Sequence, residues 1–178
     1  VREVAPIILG PDIEQMLVIS NDLLLYERDP ENRIGAVDVR LTVRNSKGAV
    51  RKRLREQINI GSAVEFPVSD FLIGDDMAFG CGSVEILRKW MRPGVRGTSR
   101  PQILLSTKKG CSAVHTQGVS GPGESWMTAT WRPADERLFV AIVNCGVKAK
   151  YSVTYPFIDE KESPTDCVKI ELAANAAE

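Results

Sequence analysis

The sequence predicts an all-β chain folded as a β-sandwich or jelly roll, that is, two packed antiparallel sheets. Three observations lead there. Short segments alternate apolar and polar residues with a period of two. Turn-forming residues punctuate them at regular spacing. No long segment keeps the 3.6-residue period of an amphipathic helix. About eight to ten short strands result.

Residues Val1 to Gln15 carry Pro6, Pro11 and the patch Ile7-Ile8-Leu9, and read as an extended arm. Met16 to Ile19 and Leu23 to Tyr26 are short strands separated by the turn-forming Ser20-Asn21-Asp22. Glu27 to Gly35 is a polar loop. Ala36 to Arg44 is the clearest strand: Val37, Val39, Leu41 and Val43 share one face, while Asp38, Arg40, Thr42 and Arg44 share the other. Asn45-Ser46-Lys47-Gly48 signals a hairpin turn. Ala49 to Ile60 fits a strand, but Val50, Leu54 and Ile58 also fit a helical stripe. Ala63 to Ile73 mixes strand and turn, and Pro67 argues against a central strand. Gly82 to Met91 is a strand with Val84, Ile86 and Trp90 on one face, and Gln102 to Ser106 is another. The Gly- and Ser-rich stretch Gly110 to Ser125 reads mostly as loop. Leu138 to Asn144 and Tyr151 to Phe157 are long strands, and Val168, Ile170 and Leu172 alternate in a last one. The division is therefore an arm (1–15), a sandwich body (16–172) and a tail (173–178).

At 178 residues the chain is long enough to bury a substantial core. Lysine plus arginine and aspartate plus glutamate number 23 each. Such balance disfavours a free nucleic-acid-binding protein, whose affinity comes mostly from phosphate neutralisation, and suits a protein that lives against neighbours. The four cysteines, Cys81, Cys111, Cys145 and Cys167, form no CxxC pair; their number allows two disulfides, and reduced small hydrophobes are the plainer reading. No Asn-x-Ser/Thr acceptor occurs, and no apolar run reaches the ~18 residues of a membrane helix. The chain starts at Val1 and stops at Glu178. Trimming of a leading Met and release from a polyprotein are both expectations consistent with such ends.

Few residue sets suggest chemistry. His115 is the only histidine, and Cys111 with His115 is the one conceivable nucleophile–base pair; residues four apart on one strand or loop rarely face each other. Gly118-Val119-Ser120-Gly121-Pro122-Gly123 lacks the Lys-Ser/Thr of a phosphate loop. Asp75-Asp76 and Asp159-Glu160-Lys161-Glu162 lack the ordered alternation of a calcium loop. No catalytic residue, metal or cofactor is therefore expected. The charge features with weight are the block Arg51, Lys52, Arg53 and Arg55 and the series Arg88, Lys89, Arg92, Arg96 and Arg100. Either could touch RNA phosphates or an acidic neighbour, or be the wet face of a strand and a loop. Trp126 and Trp131 are candidate interface or loop aromatics.

The segment Ala78-Phe79-Gly80-Cys81-Gly82-Ser83-Val84-Glu85-Ile86, through Arg92-Pro93-Gly94-Val95-Arg96 to Ile103-Leu104-Leu105, resembles a strand pair of picorna-like jelly-roll capsid proteins. It is most similar to the small coat protein of the comovirus and secovirus group, including the cheravirus type. Trp126 through Trp131-Arg132-Pro133, Leu138 to Asn144 and Tyr151 to Phe157 look like the closing strands of that fold. The resemblance implies a single jelly roll with extended termini and a mechanical role. Many copies would tile an icosahedral shell with sister jelly-roll chains, enclosing the RNA of a positive-strand virus. Other capsid chains would be its partners, genomic RNA a further candidate, and the virion, or the host cytoplasm during assembly, its location. The alternative is a β-sandwich module that binds carbohydrate through an exposed tryptophan.

Overall fold

A computed structural model describes residues 1–10, 12–21, 35–72, 80–91, 100–118, 143, 149–155 and 166–172; beyond residue 116, side chains are described only at Val143. The chain is all-β, and two antiparallel sheets share one core. In chain order the strands are β1 (Arg2–Leu9), β2 (Glu14–Ser20), β3 (Val37–Arg44), β4 (Val50–Ile58), β5 (Ala63–Pro67), β6 (Gly80–Trp90), β7 (Gln102–Thr107), β8 (Gly110–His115), β9 (Gln117–Gly118), β10 (Ala149–Tyr155) and β11 (Asp166–Leu172). A short 3-10 helix, Val68–Leu72, follows β5. One sheet has the order β4-β3-β6-β1-β9 and the other β5-β2-β7-β8; β10 and β11 pair as a two-stranded sheet.

Period-two alternation explains the core. From the first sheet, Ala5 and Ile7 of β1, Val37, Val39, Leu41 and Val43 of β3, Ile58 of β4, and Val84, Ile86 and Trp90 of β6 turn inward. Leu17 and Ile19 of β2, Phe66 of β5 and Ile103 of β7 meet them from the second, with Val68 and Leu72 of the 3-10 helix closing one side. At ~25 cal/mol per Å² of apolar surface removed from water, this burial is the main drive to fold.

The β3–β4 hairpin follows the Asn45–Gly48 signal. Asn45 Oδ1 accepts hydrogen bonds from the Lys47 and Ala49 amides at 3.2 and 3.0 Å. Gly48 adopts φ 81°, a conformation that disfavours a β-carbon. The Ala49 to Ile60 ambiguity resolves as strand, because β4 pairs with β3 over nearly its whole length. Pro67 ends β5, which lies on a sheet margin where no ladder bond is lost.

Three stretches differ from the sequence reading. Residues 2–9 are not an arm: β1 lies between β6 and β9. Pro6 is tolerated there because its nitrogen and carbonyl turn away from β6, towards the side β9 no longer covers. Gln15 stands in for the missing strand, its Oε1 accepting from the Ile8 amide (2.7 Å) and its Nε2 donating to the Pro6 carbonyl (2.9 Å). The body therefore begins before residue 16. Second, Gly110 to Gly118 is not loop but β8 and β9. All six residues of β8 are exposed, so no apolar alternation marks it; its backbone is held by β7 through the tight turn at Lys108-Lys109. Third, β10 (Ala149–Tyr155) and β11 (Asp166–Leu172) each begin two residues before the expected strand, while Pro156 and Phe157 lie outside the described residues. The expected strand Leu23 to Tyr26 and the tail 173–178 lie outside the described residues, as does Leu138 to Asn144 apart from Val143.

Candidate functional site

The hairpin register sets the site. Arg40 stands opposite Arg55 and Thr42 opposite Arg53 across β3 and β4; on the other side of β3, Arg40 meets Leu87 and Asp38 meets Lys89 of β6. Since alternate residues share a face, the polar faces of β3, β4, β6 and β1 coincide on the outside of the five-stranded sheet. Six cationic side chains lie there among the described residues, Arg2, Arg40, Arg44, Arg53, Arg55 and Lys89, against two carboxylates, Asp38 and Glu85. The chain is neutral overall, so this face concentrates positive charge.

The carboxylates organise the arginines. Asp38 accepts from Arg55 Nε at 2.7 Å and from Arg40 Nε at 3.3 Å. Glu85 accepts from Arg2 Nε at 2.6 Å and lies 3.7 Å from Arg44. Asp38 is largely covered (side chain 11% exposed), whereas Arg55 and Arg40 remain 69% and 57% exposed. The carboxylate thus anchors each guanidinium by one N–H and leaves the rest of its donors facing water. A shallow open groove of about 460 Å³ runs between Arg40, Arg53 and Arg55 over Thr42 and Leu87.

The hydrogen bond from Arg55 is the main cause that holds the Asp38 carboxyl below its ordinary value of 3.8; burial opposes it, and the charges of Arg55 and Arg40 reinforce it. A carboxyl with a lowered folded-state pKa contributes stability that is complete above the unfolded value and is lost as pH falls through the folded one. Asp38→Asn is therefore expected to cost about 1 kcal/mol at neutral pH, a small value because both arginines are solvated. The cost should shrink as pH is lowered from neutral through the folded-state pKa of Asp38. Urea midpoints of both proteins across that range check this; a difference that does not change with pH counts against it.

The block Arg51, Lys52, Arg53 and Arg55 does not share one face of β4. Arg53 and Arg55 face outward with Arg40. Lys52 pairs with Val43 on the opposite face and lies 6.0 Å from the centre of the Phe71 ring. Arg51 is the extra residue where the register shifts at Val43/Arg44. Of the second series, Arg88 is not on a wet face at all: it is 5% exposed and turns into the core. Lys89 joins the cationic face, Arg100 is exposed before β7, and Arg92 and Arg96 lie outside the described residues. So do Trp126, Trp131, Asp75-Asp76, residues 119–123 of the glycine-rich loop and Asp159 to Glu162.

Cys111 and His115 share one face of β8, exposed and separated by four residues, hence about 13 Å apart along an extended strand, too far for a proton to pass between them. His115 Nδ1 lies 3.2 Å from the Thr116 carbonyl oxygen, a contact that places the proton on Nδ1. Among the described residues no group of three His, Cys, Asp or Glu side chains is placed to hold a metal ion, and no helix is long and apolar enough to cross a membrane.

Comparison with protein-family models, with curated proteins and with solved structures gives no match. Arg2, Arg40, Arg44 and Lys89 are the members of the site that sequence reasoning did not assemble. The available signal was the alternation of β4, where Leu54 and Ile58 mark the inward face and leave Arg53 and Arg55 outward; the turn at 45–48 alone would set Arg40 opposite Leu54, and the extra residue Arg51 shifts the register to Arg55.

Proposed function

We propose that the chain is a structural subunit that works by contact, namely a jelly-roll coat protein of a small icosahedral positive-strand RNA virus. It would tile a shell with copies of itself and sister chains and enclose RNA, in the virion and, during assembly, in the host cytoplasm. The observation that carries this reading is the cationic outer face of the five-stranded sheet in a chain of zero net charge. A subunit of this kind needs one face for a polyanion and low overall self-repulsion against its neighbours. The β-sandwich architecture and the resemblance carried by 78–105, which contains β6 and β7, support it further. The separation of Cys111 from His115 favours contact over turnover. The carbohydrate-binding alternative rests on Trp126 and Trp131.

Sedimentation velocity of native material, read at 260 and 280 nm, tests the proposal. A particle far heavier than the 19.6 kDa chain and carrying nucleic-acid absorbance is expected. A stable monomer free of nucleic acid, unchanged on mixing with RNA and sister chains, would overturn it.

A further inference from the structure

We infer that the groove between Arg40, Arg53 and Arg55 binds the phosphate backbone of nucleic acid without reading its sequence. Along β4, Arg53 and Arg55 are about 7 Å apart, and across to β3 Arg40 is about 5 Å from Arg55. The three guanidiniums therefore form a compact two-dimensional field and not a single point charge. Asp38 fixes two of them by one N–H each, which lowers the entropy lost when the remaining donors meet a phosphate. Thr42 adds a hydroxyl at the groove floor, and Lys89 extends the field beyond Asp38.

The occupant follows from charge complementarity and from what the face lacks. Among the described residues its side chains include no aromatic ring, so these residues offer arginine forks to the backbone and no stacking platform to bases. Arginine forks match phosphate oxygens bidentately, and a repeating phosphodiester presents such oxygens to all three at once. This gives the proposed shell subunit its RNA-facing side, and to that extent it rests on the shell reading. The binding itself is a property of one protomer and is separable from assembly.

The test is fluorescence anisotropy with the full chain, a labelled single-stranded RNA of mixed sequence and, in a parallel arm, polyglutamate of equal charge, each titrated with salt. Dissociation constants in the range ~10⁻⁴–10⁻⁶ M, insensitive to sequence, are expected. Arg40→Gln/Arg53→Gln/Arg55→Gln should weaken RNA binding roughly tenfold or more and flatten the log–log salt dependence by about 2, since each single-strand phosphate contact contributes ~0.7. Lys52→Gln, in the same block but on the other face, should leave both quantities near native. Should the triple variant fail to fold by circular dichroism, Arg53→Gln/Lys89→Gln, which keeps the Asp38 bridges, should still flatten the slope by about 1 or more. An unchanged slope in the folded variant, an equal effect of Lys52→Gln, or tighter capture of polyglutamate than of RNA overturns the inference. RNA binding by a protomer that never assembles would uphold it while the shell reading falls.

Discussion

Glu3→Gln is expected to lower the unfolding free energy by about 3–5 kcal/mol. Glu3 and Arg88 form a bidentate ion pair at 2.9 and 3.0 Å, with both side chains 4% exposed. Glu3 belongs to the inward row of β1 with Ala5 and Ile7, and Arg88 to the inward row of β6 with Val84, Ile86 and Trp90. The guanidinium also lies 5.1 Å from the centre of the Trp90 ring. Neutralising the acid removes the opposite charge that faces a buried guanidinium, so less of its desolvation is offset. An exposed pair such as Lys108–Asp12, with side chains 81% and 53% exposed, would cost ~0–1 kcal/mol for the same change.

The converse half of the argument separates the pair's net value from the penalty of breaking it. Glu3→Met with Arg88→Met replaces both charges by apolar volume and should recover most of the loss, because two desolvation costs disappear with the attraction. Urea unfolding of the two single variants and the double variant closes the cycle, the slope with denaturant serving as the check that the folded state stays compact. If Glu3→Gln lies within about 1 kcal/mol of native, the pair is solvated in solution and the inward placement of Arg88 is incorrect.

This pair also marks where the sequence could be read and where it could not. Val37 to Val43 declared their buried face openly, because each inward residue is apolar and each outward one polar. In β6 the parity is the same, but Arg88 interrupts it, so a charge-based reading moved that residue to the wet side. In β1 the inward Glu3, and Pro6 at a position whose nitrogen needs no ladder partner, hid a strand that lies inside the sheet. In β8 both faces are exposed, so only pairing with β7 makes it a strand. The candidate site was half legible for a related reason. Arg53 and Arg55 stood out as a run in sequence, but a run has neighbours on both faces, and only cross-strand register sorts Lys52 from Arg53. The tight turn at 45–48 fixes the β3–β4 register only as far as Arg44, because the extra residue Arg51 shifts it there, and the register linking β1 to β6, some eighty residues apart, has no local signal at all.

Gly82→Ala is the second large effect expected, a loss of about 2–3 kcal/mol or more. Gly82 lies on the inward row of β6 opposite Ile7. A β-carbon there would come within 2.5 Å of both the Arg44 carbonyl oxygen and Leu72 Cδ1. Leu72 ends the 3-10 helix and is buried over the glycine, so absence of a side chain lets the helix seat on the sheet. Against this stands a gain of ~0.4–1 kcal/mol, since alanine restricts the unfolded chain more than glycine does. Steric overlap wins because one of the two obstacles is backbone. Leu72 can rotate away, but the Arg44 carbonyl is fixed by the β3–β6 ladder, in which Arg44 faces Ser83. Leu72→Ala distinguishes the two. By itself it should cost about 2–5 kcal/mol as a buried truncation. In its presence Gly82→Ala should still destabilise, though by less, and amide exchange should quicken first at the Ser83 end of β6. If Gly82→Ala becomes neutral once Leu72 is truncated, the close approach of the two strands is not what demands glycine, and side-chain packing alone accounts for it.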